Sequence, residues 1–186
     1  MDALPESYLY LLGLYLGDGC LSRHARDVYK LRLYLDAKYP KIVQQAATAI
    51  QETMPTNRVA RYVRRYGDIE VYSYSKSWPC LLPQHGPGPK HERHIELTAW
   101  QEALAARYPH LLLRGLLHSD GCRFLSRGRN WAYPRYSFRN RSADILNIFI
   151  LACKLTGVRY TRATDVAYIS RKRDVDLIDR LVGPKA

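Results

Sequence analysis

Residues 11–20, LLGLYLGDGC, return further along the chain as residues 112–122, LLRGLLHSDGC. Both copies contain Leu-x-Gly-Leu and end in Asp-Gly-Cys. Their apolar residues predict a helix in each copy, and a glycine is a common residue at the end of a helix. A helix repeated in this form predicts a chain built from two similar halves.

Three further pairs of matching segments support an internal duplication. Each pair has the same residue types and follows the two helices in the same order, which makes chance an improbable explanation. In the first pair, 33–43 and 136–146, an alternating strand is followed by an apolar-periodic stretch. In the second, Ser-Lys at 75–76 matches Ser-Arg at 170–171, and in the third, two Gly-Pro-Lys triplets end at Lys90 and Lys185.

Each half predicts an αββαββα unit, and the whole chain therefore an α+β fold. In the first half we predict helices at 5–17, 40–54 and from about 76, and strands at 20–25, 29–36, 58–66 and 69–75. In the second half we predict helices at 109–119, 142–155 and 172–182, and strands at 122–128, 133–139, 158–163 and 165–170. A Pro-, Gly- and His-rich linker with an extra helix near 100–108 gives the expected layout 1–84, 85–108 and 109–186.

The charge balance favours a polyanionic partner. The chain has 29 Lys and Arg against 17 Asp and Glu, for a formal net charge of +12, and basic proteins gain affinity for nucleic acid by releasing its counterions. No apolar run approaches the length of a membrane span, and no signal peptide is recognisable, so we expect an intracellular, nucleoid-associated protein. The four cysteines have neither disulfide-framework nor zinc-ribbon spacing.

The two Asp-Gly ends predict a metal site. Glycines at 13 and 115 would let the two helices pack closely side by side, which would bring Asp18 and Asp120 together. Two carboxylates at helix C-termini repel each other and oppose the helix dipole. A divalent cation would resolve that repulsion, and hard oxygen ligands suit Mg²⁺, with Mn²⁺ as a substitute.

These residues resemble the nine-residue signature of the LAGLIDADG homing endonucleases, which aligns with 11–19 and 113–121. The resemblance implies two four-stranded antiparallel, saddle-shaped sheets related by a pseudo-twofold axis around a central helix pair. It implies metal binding by Asp18 and Asp120 with the adjacent Gly17 and Ser119. The sixth signature position, often acidic in the family, is Leu16 in one copy and His118 in the other.

The resemblance also implies accessory catalytic residues. A basic residue after the fourth strand of each half corresponds to Lys76 and Arg171, where a cation would stabilise phosphate charge; for Arg171 a plain surface role is an equal alternative. A water-orienting polar residue at the end of the second strand corresponds to Asn140, which is also a candidate helix cap. The matching residue in the first half is Ala37, with Asp36 or Lys38 as substitutes.

One face of the strands is expected to read DNA. Leu31, Leu33 and Leu35 alternate with polar or aromatic residues, and Tyr136 and Phe138 do the same in the second half. β-Ribbons fit the major groove, and arginine is the usual reader of guanine. The predicted DNA-binding residues are Arg23, Lys30, Arg32, Tyr34, Lys38, Arg61, Arg64, Arg127, Arg129, Arg135, Ser137 and Arg139.

The predicted function is therefore a monomeric, site-specific endonuclease that hydrolyses both strands of a long asymmetric DNA duplex with divalent metal. The resemblance implies short 3′ overhangs and a role in intron homing. Two alternatives use the same scaffold: a non-cleaving transcription regulator and an RNA-binding splicing cofactor. A zinc site built from Cys80, His85, His91 and His94 is a further alternative, although their spacing matches no standard site.

Overall fold

The two helices that carry the repeated motif lie against each other at the centre of the molecule. The computed structural model describes residues 4–65, 67–183 and 185. Helix α1 ends at Asp18 because Gly19 leaves the helix in an extended conformation, and helix α5 begins at Pro109, where proline costs no helical hydrogen bond. The helices are α1 Ser7–Asp18, α2 Pro40–Thr53, α3 Trp78–Leu81, α4 Ala99–Arg107, α5 Pro109–Ser119, α6 Ala143–Leu155 and α7 Lys172–Leu181.

Each half contributes one four-stranded antiparallel sheet, in the order β1-β2-β4-β3 and β5-β6-β8-β7. The strands are β1 Gly19–Arg23, β2 Tyr29–Asp36, β3 Val59–Val63, β4 Asp68–Ser75, β5 Gly121–Arg127, β6 Ala132–Arg139, β7 Thr161–Arg162 and β8 Val166–Ile169. The α+β class and the duplicated αββαββα unit are thereby confirmed. Within the described residues, no helix is long and apolar enough to cross a membrane.

Glycine sets the contact between α1 and α5. A β-carbon at Gly13 would lie 2.7 Å from the backbone nitrogen of Leu116, and one at Gly115 would overlap the carbonyl oxygen of Tyr10. Real β-carbons do not approach backbone atoms so closely, so the two helices touch backbone to backbone at these glycines. This close approach, expected from the sequence, fixes how far apart the ends of the helices lie.

The inner face of each sheet packs on the helices. Leu31, Leu33 and Leu35 are buried, and so are Tyr136 and Phe138, which confirms the predicted alternation on β2 and β6. The opposite face of each sheet carries the intervening residues. We call it the outer face.

One predicted strand is much shorter than expected. Residues 158–163 form only the two-residue strand β7, because the amide of Val158 donates to Cys153 O at 2.9 Å and thus belongs to the end of α6. Val158 itself is buried in the core. In the first half, β3 runs from Val59 to Val63; Tyr66, the last residue of the strand predicted there, lies outside the described residues.

Candidate active site and nucleic-acid interface

The paired helices bring Asp18 and Asp120 together, as the repeat predicts. A β-carbon at Gly17 would overlap the Ser119 hydroxyl and lie 2.9 Å from Asp120 Oδ2, so the second aspartate reaches across to the last turn of α1. Burial, reinforced by the charge of Asp120, raises the pKa of Asp18 to about 7. Burial also raises the pKa of Asp120. The two carboxylates therefore share a desolvated site in which their negative charges repel.

Two lysines lie at the same site. Lys90 Nζ donates to Leu16 O at 3.0 Å and to Tyr15 O, and Lys185 Nζ donates to Ser119 O at 2.9 Å. Each lysine thus satisfies carbonyl oxygens at the C-terminus of one motif helix, where a cation also complements the dipole. Burial lowers the pKa of Lys90 to about 8 and lowers the pKa of Lys185, while both aspartates oppose these shifts.

A buried polar network fixes the course of the linker that carries Lys90. The Tyr8 hydroxyl donates to Leu81 O at 2.6 Å and accepts from Gln101 Nε2 at 2.6 Å. Gln84 Nε2 donates to Glu96 O at 2.8 Å, and Arg93 donates to Gln84 O. A buried polar group without a hydrogen-bond partner destabilises the fold. Because these groups satisfy one another, the network holds the linker against α1 and α4 on both sides of Lys90.

Asn140 joins the site through Asp120. Its Nδ2 donates to Asp120 Oδ2 at 2.7 Å, and its Oδ1 accepts from the backbone N–H of Ser142 at 2.8 Å. The second bond fixes the orientation of the amide, because only the oxygen can accept from an N–H. The helix cap itself is Ser142, whose hydroxyl accepts from Ile145 N. Asn140 therefore supports the start of α6 and also donates to a candidate metal ligand.

The first half offers Asp18 no equivalent donor. Asp36 and Lys38 pair with each other at 2.7 Å, and the Lys38 side chain is exposed. No described side chain donates a hydrogen bond to the Asp18 carboxylate. Neither Asp36 nor Lys38 therefore gives Asp18 the hydrogen bond that Asn140 gives Asp120, although Asp36 interacts electrostatically with Lys185. A water-orienting role for Asp36 or Lys38 stays a prediction.

Lys76 and Arg171 do not reach the aspartates. β2 and β4 are antiparallel, so Ser75 lies beside Tyr29, whereas Gly19 lies level with Leu33 and Val71. At about 3.3 Å per residue, Lys76 is roughly 16 Å along the strand direction from the level of the motif glycine. Arg171 likewise follows the distant end of β8 and lines a different groove, with Gly157 and Arg159. The positions predicted for the catalytic cations are thus wrong, and the lysines at the site are Lys90 and Lys185.

The sixth signature position is interior in both copies. Leu16 is fully buried, and the buried His118 ring contacts the Tyr10 hydroxyl through Nδ1 at 2.9 Å. Burial lowers the pKa of His118 to about 4, so its ring is neutral at physiological pH. The departure from an acidic residue therefore leaves a packing residue at each of these positions.

A cleft of about 580 Å³ opens beside the site, lined by Gly17, Lys90, Asp120 and Asn140 among others. The donors fit a hard divalent cation, because carboxylate and carbonyl oxygens are its preferred ligands and the desolvated carboxylates lack full compensation. Such an ion completes its shell with water and phosphate oxygens. Among the described residues no group of three or more His, Cys, Asp or Glu side chains could hold a metal, so the two aspartates would share the ion with those other oxygens.

The linker histidines have separate partners. His85 packs edge-on against Tyr29, His91 lies near Glu92, and His94 contacts Asp144 and Glu96. Together with the absence of a metal-binding group in the described part of the chain, these contacts give no support to the zinc alternative.

The outer face of the first sheet carries Lys30, Arg32 and Tyr34, as predicted. Lys30 Nζ lies 2.6 Å from Glu70 Oε1 and 4.0 Å from the Tyr72 ring centroid, and Arg32 Nε lies 3.7 Å from the same carboxylate. Sequence reasoning missed Glu70. The alternation of DIEVYSYS at 68–75 would have placed it on this face. Its charge offsets the cations that were expected to contact DNA.

The other basic residues predicted for the first half are mostly paired. Arg64 donates to Asp68 at 2.7 Å and stacks over the Tyr34 ring, and Arg23 pairs with Asp27 in the β1–β2 turn. Lys38, noted above, pairs with Asp36. Arg23 pairs across the sheet with Tyr29, in the same alternation as the inner-face Leu31 and Leu33, so it does not lie on the outer face. Each of the three cations already has a local carboxylate partner.

Arg61 contradicts its predicted orientation. It pairs across the sheet with Val71, which is on the inner face, and its guanidinium donates to Gln44 of α2 at 2.5 Å. The second half repeats this contact, since Arg162 donates to Asn147 of α6 at 2.7 Å. Arg61 therefore joins strand to helix and is not on the outer face.

Fewer of the predicted DNA-binding arginines are paired with carboxylates in the second sheet than in the first. Arg135 and Ser137 alternate with the buried Tyr136 and Phe138, as predicted, and Arg139 pairs with Asp165 at 2.8 Å. The β5–β6 hairpin carries two exposed arginines and a pair of stacked aromatic rings, one of which lies near Arg135. These residues are Arg127 and Arg129, with Trp131 stacked on Tyr133 at 5.3 Å.

Structural comparison identifies the fold. The chain has the LAGLIDADG homing-endonuclease fold: it matches homing endonuclease I-DmoI in complex with DNA and Mn at TM-score 0.63 and 16% identity over 96% of each chain. It matches homing endonuclease I-WcaI bound to its DNA recognition sequence at TM-score 0.59 and 13% identity, over 100% of this chain and 84% of the other. The N-terminal LAGLIDADG domain of DUF199/WhiA matches at TM-score 0.58 and 18% identity, over 96% and 83%. No protein-family model and no curated protein matches the sequence.

Proposed function

We propose that this protein is a site-specific DNA endonuclease that hydrolyses both strands of a duplex with a divalent metal ion. The observation that carries the proposal is the convergence of Asp18 and Asp120 with Lys90 and Lys185 at the ends of the motif helices. The similar structures of I-DmoI with DNA and Mn and of I-WcaI with its recognition sequence support duplex DNA as the substrate.

The site residues divide the work of hydrolysis. Asp18 and Asp120 would hold the ion, and the carbonyl groups of the adjacent Gly17 and Ser119 are further candidate ligands. The ion, when bound, supplies Lewis-acid stabilisation of the phosphate and lowers the pKa of the attacking water. The ammonium groups of Lys90 and Lys185 stabilise the negative charge that grows on the phosphate, in a desolvated place where such charges act strongly. Asn140 holds the Asp120 carboxylate in one orientation.

The outer faces are proposed to read the target. The two sheets differ in residue type, so each would read a different half-site, and one chain suffices for a long asymmetric target. Direct readout uses the arginines and polar residues that project into the major groove. Cleavage leaving short 3′ overhangs, and a biological role in intron homing, are parts of the same proposal.

The test is cleavage of a randomised duplex library in Mg²⁺ or Mn²⁺, with the cut ends sequenced. Defined cuts that disappear in both Asp18→Asn and Asp120→Asn are expected, because a shared site needs both carboxylates. Retained binding by the two variants separates loss of chemistry from loss of folding. Selection of one bound sequence with no cleavage in either metal would contradict the proposal and identify a non-cleaving DNA-binding regulator.

A further inference from the structure

A basic groove lies outside the aspartate site, at the far end of the second sheet. We define it by Lys154, Arg159, Arg171 and Arg173, which line two adjoining recesses of about 480 and 460 Å³ that share Arg159 and Arg171. All four side chains belong to exposed residues. Neither aspartate of the candidate active site lines the groove.

The cations of the basic groove lack local partners. Among the described residues, none of the four forms an ion pair or a side-chain hydrogen bond, and the carboxylate in the recesses is that of Asp174, a largely buried residue. Elsewhere in this half, by contrast, Arg123 pairs with Asp179 and Lys172 with Asp176. Protein surfaces usually intersperse charges of both signs, so an open cluster of one sign indicates an anionic ligand.

The short β7 strand creates the groove. Between the end of α6 and Thr161 the chain turns at Gly157, which has a φ of 71°, and this turn presents Arg159 beside the segment that leaves β8. In the first half, the segment after β4 enters α3, where the fully buried Trp78 donates to Ser73 O. After the last strand of its sheet, the first half thus buries an aromatic ring, whereas the second half exposes Arg171 and Arg173.

The groove continues the outer face of the second sheet. Thr161 and Tyr168 line it, and they pair across the sheet in the same row as Ser137. A duplex lying on that face and extending past the edge strand would pass its backbone over the groove. Arginine suits this contact, because its guanidinium binds phosphate oxygens in a bidentate manner.

We propose that the basic groove binds the phosphate backbone of duplex DNA flanking the half-site read by the second sheet. This inference rests on the proposed function for its ligand, but not on cleavage. It assigns to Arg171 a contact with flanking DNA, remote from the chemistry. The contact is independent of base sequence, so it adds affinity and fixes the position of the protein on the duplex without adding specificity.

The test measures binding of a fluorescein-labelled random-sequence duplex over a range of salt concentrations, without divalent metal. The triple variant Arg159→Gln, Arg171→Gln, Arg173→Gln is expected to weaken binding at least about tenfold and to lower the slope of log K against log salt by about 2 to 3. The matched control Arg107→Gln, Lys172→Gln, Arg180→Gln removes the same charge from exposed positions outside the groove and is expected to leave the slope close to that of the wild type. Replacing the groove arginines with lysines is expected to retain the slope.

Other outcomes overturn the inference in distinguishable ways. If the groove variant, folded by circular dichroism, matches the control while the wild type binds duplex, the groove is not a DNA contact and the proposed function stands. If the groove variant loses affinity for a single-stranded RNA of the same length but not for the duplex, the ligand is RNA. If the wild type binds no duplex at all, the proposed function fails together with the inference.

Discussion

In the two halves of the molecule, the second strand runs a different distance past the residue that pairs with the motif glycine, although both strands have eight residues. In the second half, Gly121 pairs with Phe138, β6 ends at the next residue, and Asn140 then turns to donate to Asp120. In the first half, Gly19 pairs with Leu33, but β2 continues to Asp36. The residue in the register position of Asn140 is therefore Leu35, which is buried in the core.

This difference shows that a duplicated site can keep its acids while losing the symmetry around them. Each motif helix has a carboxylate and a lysine at its C-terminus, but only Asp120 has an amide donor among the described residues. The carboxylates are consequently unequal, and the predictions below test how far that inequality extends.

The largest expected effect concerns the stability of the protein without metal. Because the pKa of Asp18 in the folded protein is about 7 and its ordinary value is 3.8, the stability that this group contributes is complete below about pH 4 and is lost as pH rises through 7. The free energy of unfolding should fall over this range by up to about 4 kcal/mol. Asp18→Asn should remove most of the fall, as measured by urea unfolding with a chelator present.

Asp120→Asn provides the internal comparison. It should act in the same direction but less strongly, because the hydrogen bond from Asn140 favours the ionised form of Asp120. If wild type and both variants lost stability in parallel between pH 4 and pH 7, the carboxylates would not be under the repulsion described here.

The next effect concerns the two lysines. Lys90→Met and Lys185→Met should each reduce the single-turnover cleavage rate about 100-fold at saturating DNA, because a desolvated cation next to the reacting phosphate is lost. Labelling the two DNA strands separately should show that each variant slows the cleavage of one strand more than the cleavage of the other. Lys76→Met is the control and should stay close to the wild-type rate; a large loss there would restore the catalytic role first predicted for Lys76.

A smaller effect should follow from Asn140→Ala. Loss of a hydrogen bond to a charged group is expected to reduce the cleavage rate about tenfold and to raise the pKa of Asp120 further. The acidic limb of the pH–rate profile should then move to higher pH. Leu35→Ala, in the matching register position, should lower stability without moving that limb, and a shift of equal size in both variants would argue against a specific role for Asn140.

The smallest effect separates the two faces of the first sheet. Arg61→Ala should cost less than about 1 kcal/mol of stability by removing the bond to Gln44, and should leave DNA affinity unchanged. Arg32→Ala, on the outer face, should instead weaken DNA binding and reduce its salt dependence. Equal losses of affinity in the two variants, measured by fluorescence anisotropy, would contradict the orientation of Arg61.

Most of the fold was predictable because its boundaries are marked by local chemistry. The repeated Asp-Gly pairs mark the C-terminal ends of α1 and α5. Pro40 and Pro109 mark the starts of α2 and α5, because proline is common in the first turn of a helix. The strand at 158–163 was overestimated, since burial of Val158 at the end of α6 depends on tertiary packing that β-propensity does not report.

The candidate site was predictable only in part. Asp18 and Asp120 could be named because they lie in the repeated motif, and Asn140 because the family resemblance implies a polar residue at the end of the second strand. Lys90 and Lys185 were visible as a repeated Gly-Pro-Lys triplet, but no local rule predicts where side chains of the linker and of the segment after α7 will lie. The match of Asn140 to Ala37 came from aligning the ends of the second strands, whereas the register against the motif glycine puts Leu35 level with Asn140.

The location of Lys90 limits how this molecule can be divided. The C-terminal half contains its own acid, its own amide donor and, at Lys185, its own ammonium group. In the N-terminal half, the ammonium group at the site is that of Lys90, which belongs to the connecting segment. The path of that segment depends on Gln101 of α4. A symmetric dimer engineered from two copies of the C-terminal half would thus retain a full set of polar groups, whereas two copies of residues 1–84 would contain none of these lysines.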